Sequence, residues 1–184
     1  MSRSPLAEGA PIRLPCGMTN APIRILGVDP GLRNTGWGLI ECQGSRLSFV
    51  DCGRLQPDPA QSMGARLRDL HEGLMRIIAD YAPHEAAVEE TFVNRDPQSA
   101  LKLGQARGVA LAAPALAGLI VAEYAANVVK KTVVGAGHAD KQQVQMMVRV
   151  LLPSSAASSA DAADALAVAI CHAQHRGARA RAIA

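Results

Sequence analysis

The sequence predicts an α/β protein in which helices are layered on a sheet. Hydrophobic residues make up 49% of the chain but aromatic residues only 3%, which favours helices on a sheet over an aromatic-rich sandwich. Short apolar segments of strand length alternate with segments whose apolar residues recur at helical spacing. The length of 184 residues fits one domain with a sizeable core.

Three strands are predicted first. An apolar run over residues 23–28 leads directly into Asp29 and a Pro-Gly turn. Apolar residues return at 37–40 and at 47–50, each after a turn-forming segment, which predicts an antiparallel meander. Asp29 then lies at the solvent edge of the core, where it either opens a turn or contributes a carboxylate to a site.

A covering helix and a fourth strand follow. Residues 63–81 have apolar side chains at helical spacing, which predicts an amphipathic helix that covers the sheet. The next apolar segment ends in Glu89 and Glu90. A strand reached through a covering helix lies parallel to the strand it joins, so its acidic end is expected beside Asp29. Alternation puts the two glutamates on opposite faces, and the pattern does not say which one faces the site.

A second helix is predicted to start at Asp96 and Pro97, as its N-cap and first residue. It carries Gly104 and Gly108, a spacing that allows close helix approach inside the fold or between subunits. Pro114 is expected to end or kink this helix.

The rest of the chain predicts a strand over residues 119–124 and an amphipathic helix over 141–152. Lys141 lies in the first turn of that helix, where a cation opposes the helix dipole. In the last helix, Asp161 and Asp164 are three residues apart and share one face. Capping of the helix N-terminus explains Asp161, but it does not require a second acid, Asp164, on the same face.

Together, Asp29, one of Glu89 or Glu90, Asp161 and Asp164 resemble an oxygen-ligand set for hard divalent cations such as Mg²⁺. Two such ions about 3.5–4 Å apart can activate a water and stabilise the leaving oxygen in phosphodiester hydrolysis. The net charge is only +3, but bases outnumber acids in the second half of the chain, which suits a polyanionic partner.

Several segments also resemble, in order and spacing, those of the bacterial RuvC Holliday junction resolvases. They are residues 27–31, 87–92, 99–108, 131–135 and 160–167. The resemblance covers residues 23–173 and implies an RNase H-like fold, a mixed five-stranded sheet flanked by α-helices. It further implies a homodimer that resolves four-way DNA junctions by paired symmetric nicks, in homologous recombination and DNA repair.

The resemblance implies roles for individual acids. It selects Glu89 over Glu90, and it makes Asp29, Glu89, Asp161 and Asp164 the catalytic acids. These would bind two Mg²⁺ ions per subunit, with Mn²⁺ as a substitute.

Other positions match DNA-contacting residues of the family. Phe92 corresponds to an aromatic residue that stacks on a base near the crossover, and Arg95 to a basic residue in the same loop. Lys130 and Lys141 match basic positions tied to activity. Arg107 matches as well, although a solvated helix face explains it equally well. The family also implies the branch-migration proteins RuvA and RuvB as partners.

The expected organisation is a disordered extension over residues 1–22, a nuclease domain over 23–175 and a basic tail over 176–184. Met18 precedes the first strand, so we expect the natural start there, with residues 1–17 from an over-long reading frame. The sequence shows no secretory signal and no apolar run long enough to span a membrane.

The cysteines form no Cys-x-x-Cys pair, so free thiols in a reducing cytoplasm are expected rather than a zinc site. They are Cys16, Cys42, Cys52 and Cys171. His172 and His175 have helical spacing but no companion ligands, and are expected to be an incidental surface pair.

Two alternative functions remain open. A phosphotransferase of the actin and sugar-kinase type also binds phosphate at an Asp-x-Gly turn after its first strand, but that fold needs a duplicated domain. The second alternative is a non-catalytic module that binds junctions, in which the acids only cap helices and turns. Metal-dependent cleavage discriminates between these functions.

Overall fold

A computed structural model describes residues 21–90, 96–155, 157 and 159–182. The strands are β1 (Ile23–Asp29), β2 (Thr35–Gln43), β3 (Arg46–Leu55), β4 (Glu85–Glu90) and β5 (Ile120–Ala125). The helices are α1 (Met63–Tyr81), α2 (Pro97–Leu116), α3 (Ala126–Val134), α4 (Lys141–Leu151) and α5 (Ala160–Ala182). The α/β class is therefore confirmed.

The described strands form one mixed sheet of five strands in the order β3-β2-β1-β4-β5. β1, β2 and β3 pair antiparallel, as the predicted meander requires. β4 is parallel to β1 and β5 is parallel to β4. The carboxyl ends of β1, β4 and β5 therefore meet at one edge of the sheet.

Each face of the sheet has its own core, because alternate side chains of a strand point to opposite faces. Leu26 and Val28 pack with α1 and α2. Ile25, together with Ala87 of β4, packs on the other face with α3, α4 and α5. From Ala162 to His172, every residue of α5 except Asp164 is buried, so this helix is the centre of that second layer.

Glycines let α5 lie unusually close to the sheet. A Cβ on Gly27 would stand 2.2 Å from the carbonyl oxygen of Ala165, and one on Gly38 would stand 2.8 Å from the side chain of Leu166. Both glycines belong to one cross-strand pair of β1 and β2. The second layer therefore depends on the absence of side chains at this pair.

Helix ends follow the predicted capping chemistry. The Asp96 carboxylate accepts hydrogen bonds from the backbone N–H groups of Gln98 and Ser99, and Pro97 is the first residue of α2, as predicted. Pro114 lies inside the last turn of α2, which ends two residues later at Leu116. The expectation that Pro114 marks the end of this helix is thus confirmed to within one turn.

The expectation for the two histidines is wrong. His172 is buried, with 3% of its surface exposed, and its Nε2 lies 2.8 Å from Glu85 Oε2 while its Nδ1 lies 2.9 Å from the Tyr124 hydroxyl. His175 Nε2 lies 2.9 Å from Thr132 Oγ1. These side chains connect α5 to β4, β5 and α3.

Arg176 completes this network. Its guanidinium donates two hydrogen bonds to Glu85, from Nε at 3.1 Å and from Nη2 at 2.6 Å. Burial by itself would raise the pKa of Glu85, but hydrogen bonds from His172 and Arg176, and the charges of both, lower it to about 2. The network therefore stabilises the ionised carboxylate.

We expect Glu85→Gln to lower the free energy of unfolding at pH 7 by about 2–3 kcal/mol. The Glu85 pKa is depressed, so its stabilisation is present above the ordinary pKa of 4.5 and is lost as the pH falls toward 2. Urea unfolding at several pH values measures this, and the wild type and variant should converge in acid. A difference that stays constant down to pH 2.5 would contradict the assignment.

The described parts of the chain hold no helix with the length and apolar character needed to cross a bilayer. Cys42, Cys52 and Cys171 are free thiols, as expected, whereas Cys16 lies outside the described residues.

β1 begins at Ile23, and α5 runs past the expected domain boundary at residue 175 to Ala182. The expected extension up to residue 20, with Met18, lies outside the described residues.

Candidate active site

Asp29 is the last residue of β1 and lies at the edge of the sheet where the parallel strands end. Its cross-strand partner on β2 is Gly36. It belongs to the alternate set of β1 that contains Ile25 and Gly27, so its side chain is on the α5 face. A buried apolar run precedes Asp29 and a turn follows it. Its carboxylate therefore lies at the solvent edge of the core layer that contains α5.

The strand alternation separates the two glutamates of β4. Glu89 belongs to the same alternate set as Ala87, which packs with α5, and its register partner on β5 is Tyr124 of the same core. Glu90 belongs to the set of Val88, which packs with α1 and α2. Glu89 therefore lies on the face of Asp29, and Glu90 lies on the opposite face.

The other two acids come from the first turns of α5. A Cβ on Gly36 would stand 2.0 Å from the carbonyl oxygen of Asp161, so the start of α5 lies directly on the start of β2. Ser159 Oγ accepts a hydrogen bond of 3.2 Å from the Ala162 N–H and caps the helix. The helix start is thereby positioned beside the ends of β1 and β4.

The acids repel one another across this edge. Burial, together with the charges of Glu89, Asp164 and Asp161, raises the pKa of Asp29 to about 8, although the charge of Lys141 acts in the opposite direction. Burial and the charge of Asp164 together raise the pKa of Glu89 to about 7. The ionised forms of Asp29 and Glu89 are thus disfavoured in the metal-free fold, and a cation bound at this edge would favour them.

Two lysines border the same edge. Lys141 Nζ lies 2.7 Å from Asp164 Oδ2, and this hydrogen bond raises the pKa of the lysine. Lys130 and Lys141 both lower the pKa of Glu89. A cleft of about 140 Å³ opens between α3, α4 and α5; it is lined by Glu89, Ala126, Val129, Lys130, Lys141, Val144, Asp164 and Ala167.

The acids suit a divalent metal by their chemistry. Carboxylate oxygens are the donors that hard cations prefer, and a bound cation would relieve the repulsion that raises the pKa values of Asp29 and Glu89. Within the described residues, however, no three His, Cys, Asp or Glu side chains are arranged so that they could hold a metal ion as they stand. The Lys141 ammonium occupies one oxygen of Asp164.

The predicted DNA-contacting residues fall into two groups. Phe92 and Arg95 lie outside the described residues. Lys130 and Lys141 are both at the cleft beside the acids. Arg107 is not a simple solvated residue, because it forms an ion pair with Glu123 of β5.

Sequence reasoning missed the contribution of the glycines. Gly27, Gly36 and Gly38 let α5 approach β1 and β2 closely enough to bring Asp161 and Asp164 beside Asp29. The available signal was the spacing of Gly36 and Gly38 on one face of a predicted strand, since glycine inside a strand marks a close approach of another backbone.

We expect Asp29→Asn to stabilise the metal-free protein at pH 8 by about 1–3 kcal/mol. The folded-state pKa of Asp29 is raised from 3.8 to about 8, so the folded protein keeps a proton that the unfolded chain releases, and stability falls as the pH rises between these values. Asparagine does not ionise, so the variant avoids this loss of stability. Urea unfolding in chelator measures it, with Glu90→Gln on the opposite face as the control. A variant less stable than wild type at pH 8 would contradict the expectation.

Comparison with known proteins identifies relatives of the whole described core. The family model for crossover junction endodeoxyribonuclease RuvC matches residues 25–172. The RuvC protein of Methylocella silvestris is 70% identical over 163 residues, which are 89% of this chain and 93% of that protein. That of Beijerinckia indica is 66% identical over 154 residues, 84% of this chain and 88% of that protein.

Solved structures agree with this. Thermus thermophilus RuvC in complex with a Holliday junction substrate superposes with a TM-score of 0.79 at 31% identity, covering 86% of this chain and 97% of that one. The yeast mitochondrial Holliday junction resolvase Ydc2, at 13% identity and a TM-score of 0.62, shares the fold; it covers 88% of this chain and 85% of that one. The expected RNase H-like fold is confirmed. By its family match and by its identity to these relatives, the chain belongs to the RuvC family of crossover junction endodeoxyribonucleases.

Proposed function

We propose that this protein is a structure-selective endodeoxyribonuclease that resolves four-way (Holliday) DNA junctions by paired symmetric nicks. The observation that carries the proposal is the meeting of Asp29, Glu89, Asp161 and Asp164 at one edge of the sheet. Family membership and the junction-bound relative support the same substrate. The reaction serves homologous recombination and DNA repair.

The four acids are the proposed ligands of two Mg²⁺ ions per subunit, with Mn²⁺ as a substitute. When bound, these ions supply a polarised water and positive charge at the scissile phosphate. Asp29, at the end of β1 beside the start of α5, would hold metal together with the other three acids. The raised pKa values of Asp29 and Glu89 mean that both side chains must give up protons before they can act as ligands.

The protein's remaining task is to hold the phosphodiester at the acids. Hydrolysis joins a water oxygen to phosphorus and breaks the bond from phosphorus to the 3′ oxygen, which leaves with a proton. Lys130 and Lys141 border the cleft and are the proposed phosphate contacts. Phe92 is proposed to stack on a base near the crossover, which is worth about 1–3 kcal/mol per base. Arg95 is proposed to contact phosphate beside it.

We propose that the protein acts as a homodimer through α2. A four-way junction is itself two-fold, so an isologous pair of subunits presents two identical sites. Gly104 and Gly108 both lie on the exposed face of α2, and a Cβ on either would meet nothing within 4 Å. Leu101, at 71% exposure, lies on the same face. Of the two roles that the glycine spacing allowed, the one between subunits fits this exposure.

We expect Gly108→Glu to convert the dimer to a monomer, because a charge would be buried without a partner at the closest helix approach. Sedimentation velocity at micromolar concentration measures the change. Gly64→Glu is the matched control, since Gly64 is a glycine of α1 with nothing within 4 Å of its Cβ position. A Gly108→Glu variant that sediments like wild type would place the interface elsewhere.

The proposed setting is cytoplasmic, with the branch-migration proteins RuvA and RuvB as partners; the proposal of these partners rests on the family.

The proposed function is tested by cleavage of a synthetic four-way junction in Mg²⁺, beside a linear duplex of matching sequence. Paired symmetric nicks on the junction alone are expected. Tight junction binding with no cleavage in Mg²⁺ or Mn²⁺ would instead indicate a non-catalytic binding module. Cleavage of both substrates at equal rates would overturn the structure selectivity.

A further inference from the structure

We propose that the Lys141 ammonium is a resident counter-ion of Asp164 that an incoming divalent cation displaces, and that metal binding thereby frees Lys141 for a DNA phosphate. This inference rests on the proposed function, since it concerns the order of events at the same acids. It assigns a regulatory role to one lysine beyond simple charge neutralisation.

The first observation is the contact itself. Lys141 Nζ lies 2.7 Å from Asp164 Oδ2, which is the distance of a charge-assisted hydrogen bond. A carboxylate oxygen in that bond is not open to a metal ion on the same side. Lys141 and a cation therefore compete for Asp164.

The second observation is that α4 has no need of a lysine here. Asp140 and Gln143 already form a complete capping box, with hydrogen bonds of 2.8 and 3.0 Å. Lys141 is the first residue of α4, where a cation is disfavoured by the helix dipole. The attraction that keeps its ammonium at this position comes from the acids of β1, β4 and α5.

The third observation is that Lys141 can leave. Its side chain is 56% exposed, whereas that of Asp164 is 20% exposed. The four-carbon stem is flexible, and the ammonium can turn toward solvent without disturbing the core. At the same distance from these acids, a doubly charged ion has about twice the Coulomb attraction of an ammonium, so it can compete with Lys141 for Asp164.

The cleft beside the acids offers the released ammonium a new contact. Lys141 and Lys130 line the same cleft as Glu89 and Asp164. A phosphate drawn to the acids by bound cations would meet Lys141 at the rim of this cleft. Metal binding thus converts an internal ion pair into a phosphate contact.

The test is Mn²⁺ binding to the DNA-free protein at fixed pH, followed by electron paramagnetic resonance of the free ion. We expect Lys141→Gln to bind Mn²⁺ about fivefold more tightly, because the competing ion pair is gone. Lys130→Gln is the matched control: it removes one charge from the same cleft, and Lys130 makes no ion pair within the described part of the chain. The control is expected to change affinity less than about twofold. Unchanged affinity in Lys141→Gln, or equal tightening in both variants, would overturn the proposal.

A second measurement follows the lysine itself. In crystals grown with and without Mn²⁺, Lys141 Nζ is expected to leave the 2.7 Å contact with Asp164 when the ion is bound. A contact that persists beside bound Mn²⁺ would overturn the displacement.

A third measurement tests the new phosphate contact, through the salt dependence of junction affinity in Ca²⁺ and in chelator. Lys141→Gln is expected to lower the slope of log affinity against log salt by about 1 in Ca²⁺ only. Equal slopes in Ca²⁺ for variant and wild type would contradict it. Failure of the proposed function is seen separately, as loss of junction cleavage by the wild type in Mg²⁺.

Discussion

Asp29→Asn is expected to reduce junction cleavage by about a thousandfold or more while leaving junction binding within about twofold of wild type. Asparagine keeps the size and shape of the side chain at the end of β1 but carries no charge for a metal ion. The acid lies at the end of β1 on the α5 face, beside β4 and the start of α5. Single-turnover cleavage in Mg²⁺ and a binding titration in Ca²⁺ give the two readouts.

The stability of the same variant makes the result easy to interpret. Because the ionised Asp29 is disfavoured in the metal-free fold, the asparagine variant is expected to be at least as stable as wild type, and unfolding cannot explain lost cleavage. Glu90→Gln is the control for charge, since Glu90 lies on the opposite face of β4. An Asp29→Asn protein that still nicks junctions at a tenth of the wild-type rate would remove Asp29 from the reaction.

Gly36→Ala is expected to abolish cleavage as well, for a purely steric reason. The added Cβ would stand 2.0 Å from the carbonyl oxygen of Asp161 and 2.5 Å from its carbonyl carbon. Both contacts are to backbone, so the start of α5 must move away from β2 and take Asp161 and Asp164 with it. We expect a fall of about 1–3 kcal/mol in the free energy of unfolding and a loss of at least about a hundredfold in cleavage, since small misplacements of reacting groups are costly.

Gly64→Ala is the matched control for this variant. A Cβ on Gly64 meets nothing within 4 Å in the exposed first turn of α1, and the change is expected to raise stability by about 0.4–1 kcal/mol. Far-ultraviolet circular dichroism and urea unfolding show whether Gly36→Ala is still folded at the assay temperature. A folded Gly36→Ala protein with wild-type cleavage would mean that the start of α5 does not position the acids.

Most of the fold could be predicted from local pattern. The apolar segments that end at Asp29 and at Glu89–Glu90 identified β1 and β4, and the covering helix between them required the two strands to be parallel. The N-cap chemistry at Asp96–Pro97 located the start of α2 within one residue. These features can be predicted from the sequence because each depends on residues that are close together in the chain.

The site was only partly predictable in the same way. The sequence pattern predicted that acids from three elements meet at one edge of the sheet. It did not decide whether Glu89 or Glu90 faces the site, and the resemblance to the family selected Glu89. In the structure, Glu89 shares the α5 face because it alternates with Ala87. The role of the four acids as metal ligands stays a prediction for the cleavage experiments.

The antiparallel meander, the parallel pairing of β4 with β1 and the identity of the acidic segments were thus determined by the sequence alone. The sequence pattern did not predict helix α3 or the position of β5 beside β4. Only the tertiary structure decided that His172 is buried against Glu85, and that Lys141 pairs with Asp164. Both pairs join residues that are distant in the chain, and a titratable residue on an amphipathic segment has the same local pattern whether its partner is water or a carboxylate. Burial and ion pairing of that kind depend on how closely whole elements pack, here on glycines that let α5 rest on the sheet.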